Sequence, residues 1–426
     1  MTVVDGVDGA IVESRHEGGD DLLSAGLGIT GLRQPPPRVS SDPDTAERRR
    51  SIWHAWRAIA DLRPGSVDRV PHVAGREFSA HLRLPGDVHA HRAVVQIPDG
   101  FDRRRPCLVV APASGSRGVY GAIAVAGPVA LSRGCAVVYT DKGAGSDFAV
   151  HGRDRIYVPH AHSEDNPESR WGEHVLLAAR FGLAMLDRAG LRRPAFTAAN
   201  TRIVAVGLSN GGAAVLRATE IDVDGVLDAA VAAAPNIHTG WTGARPLYDF
   251  ATEAALYQSC LLGHQRWRDA PFADADLSRL GQRRCAALRC AGWLDTDTPG
   301  ARASEAYDRL RAAGWSETAL RLAGQNVSFD LWRAIAVTYS SAYGRHGPDV
   351  HPCGFSFAAV DATGRPRPAT TIERMSWRSD ASGLPPTAGV AIIDPNAGGD
   401  DEDMPGLSGL RALWTGHGPD ARRVRA

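Results

Sequence analysis

Short apolar runs, separated by polar and glycine-rich stretches, recur through residues 76–239 of the chain. Five runs are continuous and rich in valine, alanine or isoleucine, at residues 93–97, 107–111, 135–139, 203–206 and 226–233. Such runs are typical of strands that are buried on both faces, as in a parallel sheet. Between them, residues 171–188 carry apolar positions at the helical period. This alternation predicts an α/β domain built on a mostly parallel sheet.

The hydrophobic pattern changes on both sides of this region, and the changes divide the chain into four parts. We expect an N-terminal arm and helix at 1–75, a core at 76–239, a cap or insert at 240–410 and a disordered tail at 411–426. The arm is predicted to be irregular, because glycine and proline interrupt it repeatedly.

The predicted cap has a mainly helical pattern, with helices expected at 245–261 and 301–313. Strand-like runs follow only at 334–339 and 390–393. These elements predict a large helical and irregular region rather than a continuation of the α/β alternation.

The strongest chemical signal is the sequence Gly-Leu-Ser-Asn-Gly at 207–211, which follows the apolar run 203–206 and precedes an alanine-rich helical pattern. This is G-x-S-x-G between a strand and a helix, the context in which α/β-hydrolases expose a serine nucleophile on a sharp turn. The turn needs small residues two before and two after the serine. Ser209 is therefore the candidate nucleophile, and the Asn210 amide is a candidate oxyanion donor. The alternative is a glycine-rich turn of an unrelated α/β protein.

A second oxyanion donor is expected in the loop that follows an earlier strand. The run 107–111 leads into a small, polar loop, in which Gly115 and Ser116 are the candidates. An ordinary strand–helix connection explains the same residues equally well.

An activated serine also needs a histidine base and an acid that orients it, in the chain order Ser, Asp or Glu, His for this fold. Asp394, directly after the run 390–393, and His417 follow that order. The simpler interpretation of these two residues is a turn aspartate and a solvated histidine.

Charge and apolar length exclude several classes of function. Lys plus Arg and Asp plus Glu both total 48, so the formal net charge is zero and nothing predicts a nucleic-acid partner. No apolar stretch reaches the ~18 residues of a membrane span. The first residues lack the basic and apolar regions of a signal peptide, which favours the cytoplasm.

Cysteine and histidine spacing gives no prediction of a metal site. The six cysteines form no C-x-x-C pair, so we expect neither a disulfide framework nor a structural zinc site. His89-x-His91 and His160-x-His162 have metal-ligand spacing, but no third ligand accompanies them. We interpret these four as surface or hydrogen-bonded histidines.

Beyond the G-x-S-x-G motif, the chain resembles the D-3-hydroxybutyrate oligomer hydrolases along nearly its whole length. The matching segments are 19–32, 114–127, 134–148, 159–168, 206–222, 235–240, 245–260, 309–315, 334–345, 353–359 and 384–389. The resemblance implies an α/β-hydrolase fold and a serine esterase that cleaves short 3-hydroxybutyrate oligomers without a metal or organic cofactor, with Ser209 as its nucleophile. Members of this family act inside the cytoplasm in some cases and outside it, extracellularly or in the periplasm, in others.

The chain departs from this family at its end. Family members continue beyond the segment that resembles residues 410–416, and the triad acid and histidine are expected in that continuation. We therefore expect the C-terminal part of the hydrolase core to be missing. The alternatives are a truncated, catalytically silent homologue, one half of a split enzyme, or an esterase for unrelated small esters.

Overall fold

The computed structural model describes most of the chain and divides it into two compact units. The described residues are 6–33, 52–53, 55–56, 70–87, 90–114, 118–143, 149–151, 155–157, 167–191, 194–237, 245–264, 267, 269–271, 274–328, 330–344, 346, 350–363, 365–370, 390–394 and 404–425. The first unit is Met1–Ile237 with Ala369–Pro386, and the second is His238–Pro368 with Thr387–Ala426. No helix among the described residues combines the length and apolar character needed to span a membrane.

The first unit contains nine strands and four α-helices whose bounds lie within the described residues, and residues 52–53 and 55–56 are also helical. The strands are β1 (Val7–His16), β2 (Gly75–Leu82), β3 (His91–Pro98), β4 (Cys107–Pro112), β5 (Ala136–Thr140), β6 (Ala149–His151), β7 (Arg155–Tyr157), β8 (Arg202–Leu208) and β9 (Ala229–Ala233). The helices are α1 (Gly28–Arg33), α2 (Ile123–Leu131), α3 (Trp171–Arg188) and α4 (Asn210–Ile221).

Seven of these strands form one mixed sheet in the order β1-β2-β3-β5-β4-β8-β9. The four strands β5, β4, β8 and β9 run parallel, and β3, β2 and β1 are added antiparallel at the other side. Parallel strands need crossover connections, which α2, α3 and α4 supply. The predicted α/β-hydrolase-like fold is confirmed, because the apolar runs are strands β3, β4, β5, β8 and β9, and α3 covers 171–188 as expected.

The prediction of an irregular N-terminal arm is wrong for its first part. Residues Val7–His16 form β1, which pairs antiparallel with β2 at an edge of the sheet. The register shifts between Asp8 and Val12, and most β1 side chains are exposed or half-buried. A bulged edge strand needs no apolar run, so the hydrophobic pattern gives no signal for it.

The cysteine prediction is also wrong, because the structure forms two disulfides. Cys107 at the start of β4 pairs with Cys135 just before β5. In the second unit, Cys260 pairs with Cys285. In both bonds the two cysteines are distant in sequence and come together only when the chain folds. A search for short cysteine spacings therefore does not predict them.

The arm is held to the sheet by a buried polar network around Glu77 on β2. The Tyr120 hydroxyl donates to Glu77 at 2.6 Å, and the Gln96 amide donates to it at 2.9 Å. His16, at the end of β1, lies 3.7 Å from Glu77 and 2.8 Å from Asp20. Burial opposes the charged form of His16, but these two carboxylates outweigh it and raise its pKa to about 9. His16 is therefore a buried cation at neutral pH.

This network predicts a loss of stability in alkaline solution. A histidine whose pKa is raised on folding stabilises the folded state most strongly below its unfolded pKa, near 6.5. The contribution is then lost as pH rises through about 9. In denaturant unfolding between pH 6 and 10, the free energy of unfolding should fall more steeply for the wild type than for His16→Gln. Parallel pH profiles for the two chains would contradict the assigned network.

The second unit is mainly helical and carries a small sheet. Its helices are α5 (Leu247–Leu261), α6 (Ala275–Cys290), α7 (Pro299–Ala312), α8 (Glu317–Leu320), α9 (Ala323–Ser328), α10 (Leu331–Gly344), α11 (Met404–Thr415) and α12 (Pro419–Arg425). Its strands are β10 (Ser356–Val360), β11 (Pro366–Arg367) and β12 (Val390–Ile393), in the order β11-β10-β12. The expected helices at 245–261 and 301–313 correspond to α5 and α7.

Two predictions fail in this unit. The strand-like run 334–339 lies within α10, where buried positions at Ala336, Val337 and Ser340 follow the helical period. A short apolar run cannot be assigned to strand or helix by its length alone. The disordered tail at 411–426 is instead the end of α11 followed by α12, which packs on α10 and α11 and buries Ala421.

Candidate active site

The turn from β8 into α4 holds Ser209 in a strained backbone conformation. Its φ of 57° and ψ of −122° lie where residues other than glycine are rarely found. The Ser209 amide donates to the Ala233 carbonyl at 3.0 Å, and its carbonyl accepts from the Asn236 amide at 3.2 Å. These two hydrogen bonds to the end of β9 and the segment after it therefore hold the Ser209 backbone in its strained conformation. The Ser209 hydroxyl makes no capping bond to α4, and the residue is partly exposed.

Glycines around Ser209 make this turn sterically feasible. A Cβ at Gly207 would collide with the carbonyl of Gly211, four residues later. A Cβ at Gly211 would lie 2.7 Å from the Pro112 carbonyl oxygen, closer than real Cβ atoms come. The requirement for small residues on both sides of Ser209 is thus met by direct backbone contact. This is the geometry of a nucleophile elbow.

Backbone strain concentrates at the same edge of the sheet. Five described residues other than glycine have positive φ, and three of them directly or nearly follow parallel strands. They are Lys142 after β5, Ser209 after β8 and Ala234 after β9, with φ of 50°, 57° and 42°. Strain of this kind persists where the surrounding structure fixes it, and it clusters at functional sites. The carboxyl ends of β5, β8 and β9 therefore mark the candidate site.

Sequence reasoning missed Lys142, the only lysine of the chain. Its side chain is fully buried, and its ammonium lies 4.8 Å from the centre of the Trp171 ring. The Lys142 amide donates to the Thr140 hydroxyl at 3.1 Å, and the Gly143 amide donates to Asp141 at 3.0 Å. The signal in the sequence is the segment Asp-Lys-Gly at 141–143, directly after the apolar run 135–139.

The first oxyanion candidate is well placed. Asn210 is the first residue of α4, and the first amides of a helix have no partner within the helix. They also lie at the positive end of the helix dipole, where developing negative charge is stabilised. The Asn210 side chain accepts a hydrogen bond from Asn236 at 2.9 Å, which ties the elbow to the segment after β9.

The other oxyanion candidates, Gly115 and Ser116, lie outside the described residues. The structure does describe the beginning of their loop. The Ala113 amide donates to the Thr140 carbonyl at 2.8 Å, and the Pro112 and Ala113 carbonyls face Gly211. The loop after β4 therefore starts against the elbow, as the prediction of a second donor requires.

The structure does not bring Asp394 and His417 together. Asp394 directly follows β12, and its carboxylate lies against Gly406 in the first turn of α11. His417 is exposed and follows the last residue of α11, Thr415. Eleven residues separate Gly406 from His417, which corresponds to roughly 16 Å along a helix. Both residues belong to the second unit, and Ser209 belongs to the first.

A different Ser–His pair, which sequence reasoning missed, occurs inside the second unit. The Ser340 hydroxyl lies 2.8 Å from His351 Nε2. His351 Nδ1 accepts from the Cys353 amide at 3.1 Å, so the ring proton must be on Nε2, which also faces the Val337 carbonyl at 3.1 Å. A protonated Nε2 cannot take a proton from Ser340. Burial lowers the pKa of His351 to about 4, and we interpret the pair as structural.

Comparison with known proteins decides the family. A family model described as 3HB-oligomer hydrolase matches residues 3–154 and 146–425. The chain belongs to this family. The D-(-)-3-hydroxybutyrate oligomer hydrolase of Paracidovorax citrulli is 33% identical over an alignment 508 positions long, which covers 96% of this chain and 72% of the relative. The protein of the same name from Azoarcus sp. is 32% identical, covering 98% of this chain and 73% of the relative. The predicted resemblance is confirmed.

Among solved structures, lipase A of Candida antarctica aligns with 59% of this chain and 50% of its own. The sequence identity is 16% and the TM-score is 0.28. That similarity is too low to define a shared fold. The fold of this member of the 3HB-oligomer hydrolase family is assigned from its strand order and from the turn that carries Ser209.

Proposed function

We propose that this chain is a serine esterase that cleaves the ester bonds of short 3-hydroxybutyrate oligomers and releases 3-hydroxybutyrate. Membership of the 3HB-oligomer hydrolase family supports the substrate class. The observation that carries the reaction type is the strained, partly exposed Ser209 between β8 and α4. Among common chemistries, nucleophilic attack by a serine hydroxyl makes use of this geometry.

The proposed reaction has two halves. The Ser209 oxygen attacks the ester carbonyl while its proton passes to a histidine, and the carbonyl oxygen becomes an oxyanion. The Asn210 amide and an amide of the loop that contains Gly115 and Ser116 stabilise that charge. The intermediate collapses to an acyl-serine, and the histidine protonates the departing 3-hydroxyl group. Water then repeats the sequence and releases the acid. These steps need no cofactor.

The proposal includes the division of the chain predicted from its sequence. Region 240–410 is the proposed cap, which restricts the substrate to short oligomers. A small-molecule site of this kind is expected to be concave and largely apolar. Asp394 and His417 do not meet in the second unit, so we expect another histidine to act as the base.

The disulfides bear on where the reaction takes place. Cys107–Cys135 and Cys260–Cys285 are bonds of a type that persists in oxidising compartments. We therefore propose an extracellular or periplasmic location, rather than the cytoplasmic one that the first residues of the sequence favoured.

Covalent labelling combined with a substrate comparison tests the proposed function. A fluorophosphonate probe should label the purified chain at one residue, Ser209, as located by peptide mass spectrometry. The chain should also release acid from a 3-hydroxybutyrate dimer or trimer. The variant Ser278→Ala, in which a partly exposed serine of α6 is removed, should label and turn over like the wild type.

Three other results would each lead to a different conclusion. Turnover of nitrophenyl esters without turnover of hydroxybutyrate oligomers would indicate an esterase for unrelated esters. Absence of labelling in a folded chain would indicate a silent homologue. Activity that appears only after addition of a second polypeptide would indicate a split enzyme.

A further inference from the structure

Three side chains with metal-ligating atoms converge at the antiparallel side of the first unit. They are Asp87 in the turn before β3, His91 at the start of β3, and His174 in the first turns of α3. One ligand atom from each lies within 4.8 Å of the other two. His174 Nε2 is 3.6 Å from Asp87 Oδ2, and the centres of the two imidazole rings are 4.2 Å apart.

The two histidines of this cluster are buried without hydrogen bonds. His91 and His174 are each 2% exposed, and none of their four ring nitrogens has a partner among the described residues. A buried neutral imidazole loses a donor and an acceptor when both stay unsatisfied, and native structures rarely contain such groups. A ligand that accepts a lone pair from each ring would remove this cost.

The local fold places both rings on the same side of the sheet. Along β3, His91 shares a face with Ala93, Val95 and Ile97, since side chains alternate along a strand. These three residues belong to the core cluster that also contains Val175 and Ala178 of α3. His174 therefore meets His91 through the packing of α3 on the sheet. No feature of the His89-x-His91 spacing predicts this long-range contact.

We propose that Asp87, His91 and His174 bind one divalent transition-metal ion, with Zn²⁺ as the best fit. Two imidazoles and one carboxylate form a ligand set of the kind found around zinc, with a fourth position left for water. In a tetrahedral zinc site with bonds of about 2.0–2.2 Å, ligand atoms are about 3.3–3.6 Å apart. Side-chain rotations that move each ligand atom by about 1 Å would close the present cluster onto the ion.

Neighbouring charges are compatible with a cation at this position. Arg170 forms an ion pair with Asp87 and thereby orients the carboxylate, as outer partners of metal ligands do. The Arg170 charge is shared with Glu173, 2.6 Å away. Lys142 and the N-terminal end of α3 oppose a cation, but Lys142 is directed at the Trp171 ring.

The proposed ion would have a structural role that is independent of ester hydrolysis. It would connect the turn after β2, the start of β3 and the first turns of α3. Strands β5 and β4 lie between β3 and the elbow strand β8, so β3 and β8 are three strand spacings apart. At about 4.8 Å per strand spacing, this is roughly 14 Å, too far for the ion to touch the Ser209 oxygen.

Metal binding to the full chain tests the proposal directly. After treatment with a chelator, the wild type should bind one Zn²⁺ per chain in a calorimetric titration, and its melting temperature should rise with Zn²⁺. Co²⁺ in the same site should give the visible absorption of a four-coordinate ion. His91→Gln and His174→Gln should each weaken Zn²⁺ binding by at least about 100-fold, since loss of a ligand exceeds loss of an outer partner.

Controls separate a lost ligand from a damaged fold. His72→Gln removes an exposed histidine and should bind Zn²⁺ like the wild type. Melting of every variant in chelator identifies any that fails to fold, and Asp87→Asn provides a third, conservative change at the site. A wild type that binds no Zn²⁺, or folded variants at Asp87, His91 or His174 that bind it unchanged, would overturn the proposal and leave a packed pair of neutral imidazoles.

Discussion

Replacement of Ser209 by alanine should reduce kcat for hydroxybutyrate-oligomer cleavage by about 10⁴- to 10⁶-fold, the range expected when a serine hydrolase loses its nucleophile. Without the Ser209 oxygen no acyl-enzyme forms, and only the oxyanion donors and substrate binding remain. The fold should persist, because the hydroxyl makes no capping bond to α4. Steady-state kinetics on a dimer ester, together with far-UV circular dichroism, measure both outcomes.

Replacement of Ser209 by glycine separates the effect of losing the nucleophile from the effect of backbone strain at this position. Ser209→Gly also lacks the nucleophile and should be equally inactive. At a φ of 57°, however, glycine carries no Cβ penalty, so this variant should be more stable than Ser209→Ala by about 1–2 kcal/mol. Equal stability of the two variants, or retention of activity in either, would mean that the turn does not have the assigned geometry or role.

The sequence was most informative where structure depends on local rules. The elbow could be predicted from 207–211, because the contact between Gly207 and Gly211 is set by a turn of five residues. Strands β4, β5 and β8 could be predicted because strands buried on both faces need continuous apolar runs. The edge strand β1 could not, since one bulged and exposed strand has no such requirement.

Features that depend on long-range packing could not be predicted from the pattern of the sequence. Cys107 and Cys135 meet because β4 and β5 are neighbours, and that pairing depends on the strand order. His91 and His174 meet because α3 packs across β3. Asp394 and His417 have the chain order of a catalytic pair, but α11 lies between them. Chain order restricts the candidates for a triad, whereas only the fold decides which side chains touch.

Replacement of Gly207 by alanine should disturb the turn from β8 into α4 more than alanine at any other glycine of that turn. The new Cβ would overlap the Gly211 carbonyl, and because the atoms that it meets are all backbone atoms, the turn itself would have to open. We expect a loss of roughly 3 kcal/mol or more in stability. Activity should fall at least about 100-fold, because a displacement of about 1 Å at a reacting group has an effect of that size.

Other glycines provide a graded series for the same test. At Gly211 the added Cβ would lie 2.7 Å from the Pro112 carbonyl oxygen, and at Gly212 it would lie 3.1 Å from Pro235. Gly100 has no atom within 4 Å of the added Cβ and no positive φ, so Gly100→Ala is the matched control. Loss of melting temperature and of kcat should therefore decrease in the order Gly207, Gly211, Gly212, Gly100. If Gly207→Ala matched the control in both measurements, Ser209 would not be held by backbone contact, and the steric basis for its reactivity would be lost.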